Sequence, residues 1–330
     1  MREARGQRTF RGRENFLDRL VGLPRCLSQE LFMLSTVAAL LLLGSIDQGI
    51  FPDLGRRVQI RAPSWPVSEG PIAVRIDEKH RLVTLIQGSV ALSAYPIAVG
   101  ADQVAGLART PSHEVLLSLL DKGAAEEVRG RMTGSVSVLW GPPPRHEDRD
   151  GDGIVNTLDV LVGAKKLCEN KAAYASNYRA LGYPNGDVPR SEGVCTDTLV
   201  RALRNAGWDL QSGIHEDAVR KPRLYPLEKA PDANIDHRRI RMMLPYFRQH
   251  FVEVKKDEPY LPGDMVLLDT FPNKAGADHA GIVSDRLGPS GLPLIVNNWT
   301  DGYVEGEMDL LPTIPVLYRF RVPMTPRLVP

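Results

Sequence analysis

The stretch "CTDTLVRALRNAG" (195–207) places a cysteine at the start of a segment with helical periodicity. Apolar residues stand at positions 199, 200, 203 and 206, which is the spacing of one helix face, and Gly207 is a suitable helix stop. In the first turn of a helix, unbonded N–H groups and the helix dipole stabilise a thiolate, the reactive form of cysteine. Cys195 is therefore a candidate nucleophile. The alternative interpretation is a small buried thiol, the commonest state of a free cysteine.

Four β-rich runs follow this helix, at 260–270, 279–286, 293–299 and 315–322. The second run begins at His279. A cysteine-bearing helix packed on an antiparallel sheet that carries a histidine is the half-barrel arrangement of papain-like enzymes. In that arrangement His279 takes the thiol proton, and Asn297, with Asn298 as its neighbour, orients the imidazole. The sequence thus predicts an α+β fold with a Cys195–His279–Asn297 triad, the alternative for His279 being a solvated residue at a strand end.

The order of these motifs resembles the NlpC-type cell-wall cysteine peptidases and, more closely, the uncharacterised DUF1287 family. The resemblance spans about 156–322, and the motifs that carry it are "YPNGDVPRSEGVCTDTLVRALRNAGWDL" (183–210), "NIDHRR" (234–239), "LPGD" (261–264) and "HAGIVSD" (279–285). It implies a papain-like half-barrel that hydrolyses an amide bond in peptidoglycan peptides. One position departs from the family pattern: where the family has His-Asn after its third strand, this chain has Asn297-Asn298. Asparagine orients the imidazole in papain-type enzymes, so the triad is still expected.

The matching motifs contain four charged candidates for substrate binding, namely Asp187, Asp197, Asp236 and Arg238. Asp197 either caps the first helical turn or contacts a substrate amine, and capping is the simpler interpretation. Asp187 is either a turn residue or a substrate ligand. Asp236 and Arg238 either begin a helix or form a wall of the cleft, where the guanidinium would bind a peptide carboxylate.

The remaining histidines and cysteines allow two further interpretations. His215, His237 and His279 stand in neither an HExxH nor a paired-cysteine arrangement, so a zinc site is not predicted. In an exported chain Cys168 and Cys195 can form a disulfide, which would remove the free thiol that a nucleophile needs. The sequence leaves this pairing open.

The segment "DRDGDGIVNTLD" (148–159) matches a calcium-binding loop. Acidic residues stand at loop positions one, three, five and twelve, and Gly153 takes the sixth position, where the chain turns sharply. The predicted ligands are Asp148, Asp150, Asp152, the Ile154 carbonyl, Asn156 and Asp159. The segment resembles one dockerin loop, but a dockerin uses two. We therefore predict a structural calcium site and no organic cofactor, with an acidic surface turn as the alternative.

The N-terminal region indicates export. Residues 1–30 are rich in arginine, and the sixteen residues 31–46 carry no charge. This pattern predicts a basic cytoplasmic tail at 1–30 and a membrane anchor at 31–51, or else a cleaved signal peptide of a secreted protein; a buried core helix is the third alternative. In both leading interpretations the main body is extracytoplasmic, either periplasmic or at the cell surface.

The stretch between the anchor and the calcium loop is predicted to hold a linker and a small β-rich unit. A hairpin is expected around "QGS" (87–89), and one helix at 112–132. The run 72–100 resembles the opening strands of YkuD-type L,D-transpeptidases, but the histidine and cysteine motif of that family is absent, so its activity is not implied. The predicted order is a linker (52–70), an accessory β-rich segment (71–145), the calcium loop and its helix (146–167), and the hydrolase domain (168–330).

Composition narrows the class of function. The chain is 43% hydrophobic and 25% charged with a formal net charge of +1, which argues against a nucleic-acid-binding protein. Peptidoglycan or a peptide is the expected partner, and the oligomeric state is not indicated. Two alternatives to hydrolysis remain: a calcium-braced module that binds peptidoglycan without catalysis, and an acyl transferase that uses the same thiol.

Overall fold

The N-terminal part of the fold is a small sheet with short helices. The computed structural model describes residues 60–65, 70–88, 90–271 and 273–323. The strands are β1 (Ile72–Asp77), β2 (Leu82–Gln87), β3 (Val90–Pro96) and β4 (Ser137–Trp140). Their order is β3–β2–β1–β4, with β4 parallel to β1 and the other pairs antiparallel. Gln87 pairs with Val90 across the β2–β3 turn, which confirms the predicted hairpin.

The single helix predicted at 112–132 is wrong, because this stretch forms two helices. The helices here are α1 (Ala101–Ala105), α2 (His113–Leu117) and α3 (Lys122–Arg129). Helix α2 ends at Ser118, and Asp121 begins α3 by accepting hydrogen bonds from the N–H groups of Gly123 and Ala124. A strong N-cap inside an apolar-periodic stretch starts a new helix.

Four longer helices follow the calcium-loop segment. They are α4 (Asn156–Asn170), α5 (Cys195–Asn205), α6 (Leu210–Arg220) and α7 (Ile240–His250). The short strands β5 (Ala173–Tyr174) and β6 (Glu192–Gly193) pair in parallel between α4 and α5. The helix predicted from 195 is confirmed, with Gly207 at φ +78° just beyond its end. Helix α6 was not predicted.

A larger antiparallel sheet completes the fold. Its strands are β7 (Val252–Glu253), β8 (Met265–Leu268), β9 (His279–Leu287), β10 (Pro293–Asn297), β11 (Gly306–Met308) and β12 (Val316–Arg321). Their order is β11–β10–β9–β8–β12–β7. Strand β9 begins at His279, as predicted, and the mixed α+β class is confirmed.

Helix α5 packs on this sheet. Leu199 and Leu203 lie in one apolar cluster with Leu267, Ile282 and Val296 from three neighbouring strands. Cys195, the first residue of α5, belongs to the same apolar cluster as Ala280, which directly follows His279, so this packing brings the start of the helix near the start of β9.

Helix α4 has apolar contacts in two directions. Leu158 and Leu161 pack with Leu82 and Ala94 of the N-terminal sheet, whereas Val160 belongs to the cluster that contains α5. All described residues fall within one compact unit, so the segments predicted as accessory, calcium-binding and hydrolase regions share buried contacts through α4.

The predicted basic tail (1–30) and membrane segment (31–51) lie outside the described residues, as does most of the predicted linker. Of the helices that the structure does describe, none combines the length and the apolar character needed to span a bilayer.

Candidate active site

Cys195 lies in the first turn of α5 with its side chain 7% exposed. Asp197 closes this turn by accepting a hydrogen bond from the Val194 N–H at 2.7 Å. Burial raises the pKa of the Cys195 thiol to about 12, although N–H groups of Ala280 and Thr196 hydrogen bond to the sulfur and act in the opposite direction. The expectation of a thiol activated by its helix position is therefore not met, because desolvation outweighs the helix start.

His279 is held by Asn297. The Asn297 Nδ2 donates to the Ile295 carbonyl at 3.1 Å, which fixes the orientation of the amide, and its Oδ1 lies 3.1 Å from His279 Nε2. An amide oxygen only accepts, so Nε2 carries the proton and Nδ1 is the basic nitrogen of the neutral ring. Burial lowers the pKa of His279, against smaller raising effects of Asn297 and Asp278. The ring of Trp299 packs edge-on against the imidazole at 4.7 Å between centroids.

The three predicted catalytic residues are connected through strand β9. The sulfur of Cys195 accepts a hydrogen bond from the N–H of Ala280, the residue directly after His279 on β9. His279 in turn is bonded to Asn297 at the end of β10. Cys195 thus lies beside the start of β9, and His279 and Asn297 are joined at the neighbouring ends of β9 and β10. A thiol, an imidazole and an orienting amide are the groups that nucleophilic catalysis by cysteine uses.

Cys195 lines a cleft of about 470 Å³, and four of the five charged residues that line it are basic. Arg239, Arg241 and Lys274 contribute to the rim. Asp278 also lines the cleft, but its carboxylate accepts three hydrogen bonds from the neighbouring loop, including the Thr270 hydroxyl at 2.7 Å. Arg239 and Arg241 also pair with carboxylates, those of Asp236 and Glu228, so the positive charge of the rim is partly balanced. A larger cleft of about 550 Å³ beside Tyr260 and Tyr318 is lined by neither cysteine nor histidine.

The predicted substrate-binding residues are mostly engaged within the protein. Arg238 donates to both carboxylate oxygens of Asp197, at 2.8 and 2.9 Å, and both side chains are buried. Asp187 is buried in the same way against Arg201 and Arg204. Capping and ion pairing, the simpler interpretations, therefore describe Asp197 and Asp187 in this structure.

Asp236 is likewise engaged. One oxygen accepts from the Asp232 N–H at 2.6 Å, and the other lies 3.3 Å from Arg239. Of the predicted set, Arg238 alone lines the cleft beside Cys195, with its guanidinium already bonded to Asp197.

Sequence reasoning missed several residues at the site. Arg239 directly follows the predicted Arg238 at the end of the "NIDHRR" motif, and Arg241 lies two residues further on. This local run of arginines was the available signal. Asn298, predicted only as a neighbour, joins the end of β10 to the turn before Cys195, because its Nδ2 donates to the Gly193 carbonyl at 3.2 Å. Trp299 carried no periodic signal, since it lies just beyond β10.

The acidic residues of the predicted calcium loop form a second cluster of polar side chains, separate from the Cys195 site. One carboxylate oxygen from each of four residues lies within 4.8 Å of the others, the four being Asp148, Asp150, Asp152 and Asp159. Burial and mutual repulsion raise the pKa of Asp150 to about 7 and that of Asp159 well above its usual range. Gly153 has φ +91°, and a Cβ there would lie 2.5 Å from the Cβ of His80, so the sixth loop position requires glycine.

The other two predicted ligands differ from the carboxylates. Both polar atoms of Asn156 are already engaged: Oδ1 accepts from the Arg149 N–H at 2.8 Å, and Nδ2 donates to the His146 carbonyl at 3.0 Å. Ile154 is buried in the loop, and its N–H donates to Asp152 at 2.8 Å. Asn156 therefore braces the loop instead of offering a free oxygen.

Within the described residues the thiols and histidines form no competing site. Cys168 and Cys195 are both free, so the disulfide left open by the sequence does not form in this structure. His237 is buried with its pKa lowered to about 4, mainly by desolvation. Among the described ranges, the four aspartates are the one group of three or more acidic, histidine or cysteine side chains arranged closely enough to hold a metal ion.

Comparison with known proteins gives a family but no function. The family model "Domain of unknown function (DUF1287)" matches residues 161–322. The chain is similar to "Uncharacterized protein YijF" of Escherichia coli (strain K12), with 36% identity over 159 residues that cover 46% of this chain and 75% of YijF. No solved structure matches. Cys195, His279 and Asn297 all lie within the matched region, and on this similarity the chain belongs to the DUF1287 family.

Proposed function

We propose that this chain is a cysteine-dependent amide hydrolase of the cell envelope, with a fold related to the papain-like half-barrel of NlpC-type peptidases. The observation that carries the proposal is the 3.1 Å hydrogen bond between His279 Nε2 and Asn297 Oδ1. It leaves Nδ1 as the basic nitrogen of His279, the residue directly before Ala280, whose N–H acts on the thiol of Cys195.

Both reacting groups start neutral. Burial raises the pKa of Cys195 to about 12 and lowers that of His279, so neither group is charged at pH 7. His279 Nδ1 therefore accepts the thiol proton while the sulfur attacks the substrate carbonyl carbon, and Asn297 Oδ1 stabilises the resulting imidazolium. The N–H of Cys195 lies in the first helical turn, where no intrahelical carbonyl is available to it, and is a suitable oxyanion donor.

The remaining steps return every group to its starting state. The tetrahedral intermediate collapses, the C–N bond breaks, and His279 gives its proton to the departing amine. Water then attacks the thioester and loses a proton to His279. The S–C bond breaks, and the proton passes back to the sulfur of Cys195, which leaves the free carboxylic acid as product.

The charge of the cleft supports a substrate that carries carboxylates. Arg239 and Arg241 are 43% and 47% exposed, and Lys274 is also exposed at the rim. Arginine binds carboxylates through two parallel hydrogen bonds. Peptidoglycan stem peptides have free carboxylates and amide bonds, so we propose them as the substrate class. An N-terminal membrane anchor at 31–51, or a cleaved signal there, is proposed to carry the enzyme to this substrate.

A non-catalytic module that binds peptidoglycan is the second candidate. The observation in its favour is the burial of Cys195, since a thiol with a raised pKa is a weak nucleophile. In that case the basic rim binds the peptide, and the thiol contributes only to packing. The two candidate functions predict different results when the sulfur of Cys195 is removed: the enzyme loses cleavage, whereas the binding module keeps binding.

Cleavage of defined muropeptides by the full chain tests the proposal. We expect Cys195→Ala to abolish cleavage, whereas the matched variant Cys168→Ala keeps it because that thiol lies on α4. Products are identified by mass spectrometry with and without an added amine, and a cross-linked product in place of the acid would assign acyl transfer. If the wild-type chain binds the muropeptides without cleaving them, and Cys195→Ala binds them equally well, the binding module replaces the enzyme.

Alkylation of Cys195 by iodoacetamide tests the pair without any substrate. Because His279 supplies the base, we expect His279→Ala to slow alkylation near pH 7 by about tenfold or more. His113→Ala, at the start of α2, is the control and should alkylate like the wild type. Equal rates in all three proteins would exclude His279 as the base for Cys195.

A further inference from the structure

The side chain of Asp159 is anomalous among the described carboxylates. It is 0% exposed, and neither of its oxygens has a hydrogen-bond partner among the described residues. One of these oxygens lies within 4.8 Å of an oxygen from each of Asp148, Asp150 and Asp152. A buried carboxylate without a partner is strongly unfavourable unless it is protonated, paired or bound to a metal ion.

The neighbouring groups do not balance this cluster. Four ionised carboxylates carry four negative charges, and the Lys166 ammonium acts on both Asp152 and Asp159. The Lys166 Nζ donates to Asn205 Oδ1 at 3.1 Å, and His80 Nδ1 lies 2.6 Å from Asp77. One lysine charge leaves a deficit that a divalent cation would fill.

We propose that Asp148, Asp150, Asp152 and Asp159 bind one Ca²⁺ ion. Calcium takes six to eight oxygen ligands and tolerates several carboxylates, whereas Mg²⁺ keeps most of its water and uses one or two. The Ile154 carbonyl and water supply further ligands. Asn156, engaged with Arg149 and His146, does not contribute its side chain.

The ion braces the helix pair that carries the candidate nucleophile. The Asp159 carbonyl accepts a hydrogen bond from Asn205 Nδ2 at 2.9 Å, and Asn205 is the last residue of α5. On the other side of the loop, Gly153 packs directly against His80 in the turn between β1 and β2. Calcium therefore stabilises contacts between the N-terminal sheet, α4 and α5, whether or not Cys195 is catalytic.

Thermal unfolding of the full chain tests this site. After removal of metal with EDTA, we expect saturating CaCl₂ to raise the Tm by about 5 °C, as a ligand that binds only the folded state does. Asp159→Asn and Asp152→Asn should fold, because each removes one of four repelling charges, and should lose the calcium-dependent rise. Asp257→Asn is the matched control at an exposed turn and should keep the full rise.

Terbium luminescence provides a readout independent of stability. The guanidinium of Arg149, within the loop, lies 4.8 Å from the ring of Trp208, so this tryptophan is close enough to sensitise a bound Tb³⁺ ion. We expect Tb³⁺ emission in the wild type and in Asp257→Asn, its displacement by Ca²⁺, and its loss in the two loop variants. No calcium-dependent change in the wild-type Tm, or an equal change in Asp159→Asn and Asp152→Asn, would overturn the proposal.

Discussion

The orientation of one amide determines the protonation of the candidate base. Because Asn297 Nδ2 is bonded to a backbone carbonyl, its oxygen faces His279, and the proton must lie on Nε2. The same bond limits rotation of the imidazole about its Cβ–Cγ axis. Asn297 is thus a positioning residue for His279, and its substitution should act through the imidazole.

We expect Asn297→Asp to raise the pKa of His279, because a carboxylate on the Nε2–H stabilises the imidazolium. In the wild type burial lowers the pKa of His279 from its ordinary 6.5. Hydrolysis that needs neutral His279 is lost as the pH falls through this pKa, so the acid limb lies below 6.5 in the wild type and moves upward in the variant.

Heteronuclear NMR of the imidazole measures both quantities, because the nitrogen shifts report the tautomer and its titration. Asn170→Asp, on the last residue of α4, is the control and should leave the His279 titration unchanged. A wild-type His279 protonated at Nδ1, or a pKa that is the same in Asn297→Asp, would contradict the assignment.

The sequence identified the candidate catalytic residues better than it identified the burial and the partners of their side chains. Cys195, His279 and Asn297 were predicted because each stands at the start or end of a periodic segment, and in the structure His279 is bonded to Asn297 while Cys195 lies beside the start of β9. The raised pKa of Cys195 could not be predicted, since it depends on how deeply α5 packs on the sheet. Arg238 was assigned to substrate because its partner Asp197 lies 41 residues away in sequence.

Among the elements, α5 depends on a buried ion pair at its start. Arg238 and Asp197 are 2% and 3% exposed, and Asp197 also accepts the Val194 N–H that precedes Cys195. Removal of the arginine leaves a buried carboxylate without its main partner. We expect Arg238→Met to lower the free energy of unfolding by about 3–5 kcal/mol, measured by urea denaturation.

Arg241→Met is the matched control for this experiment. Arg241 also pairs with a carboxylate, that of Glu228 at 2.6 Å, but the two side chains are 47% and 76% exposed. An exposed pair contributes about 0–1 kcal/mol. Similar losses in the two variants would show that the Asp197–Arg238 pair does not stabilise the helix start.

The contact between α4 and α5 depends on a glycine. A Cβ at Gly163 would lie 2.8 Å from the Ala202 Cα and 2.8 Å from the Asn205 Cβ. We expect Gly163→Ala to lower the free energy of unfolding by about 1–3 kcal/mol through overpacking, despite the higher helix propensity of alanine. Gly123→Ala in α3 is the control, because its nearest contact is the Asp121 carboxylate at 3.3 Å. If Gly163→Ala changed the free energy of unfolding no more than Gly123→Ala does, or raised it, the two helices would be able to move apart without cost.

Element prediction succeeded where the periodicity was long or the ends were marked. The hairpin at 87–89, the helix from 195 and the strand from His279 are all confirmed. The helix at 112–132 was wrong because the N-cap Asp121 outweighs a continuous apolar period. Helix α6 was not predicted because its sequence mixes glycine, histidine and acidic residues with few apolar positions.

In the whole molecule α4 is the element common to both sheets. Of the eleven positions from Thr157 to Leu167, all except Lys165 are buried. The boundaries predicted at 145/146 and 167/168 came from turn residues and composition, which do not reveal that a helix is covered on two sides. A helix that is apolar almost all round was the available signal.

We expect both sheets to unfold in one transition, since each loses its contact with α4 when the other opens. Hydrogen exchange of the full chain in increasing urea measures this for peptides from β2–β3 and from β8–β10. A common free energy of global opening is expected for the two sets. Exchange of the β2–β3 peptides at clearly lower urea would make the N-terminal sheet an independent unit.

The basic cleft rim belongs to a chain of nearly zero net charge, +1 in total. At physiological ionic strength the field of three side chains is screened over about 8 Å, the Debye length. Arg239, Arg241 and Lys274 therefore do not draw anionic peptides from a distance. If the chain acts on anionic peptides as proposed, these side chains select among peptides that have already reached the cleft, by binding the peptide carboxylate at the rim so that the neighbouring amide faces the thiol. The association rate should thus vary little with salt, while the choice of peptide depends on where its charges lie.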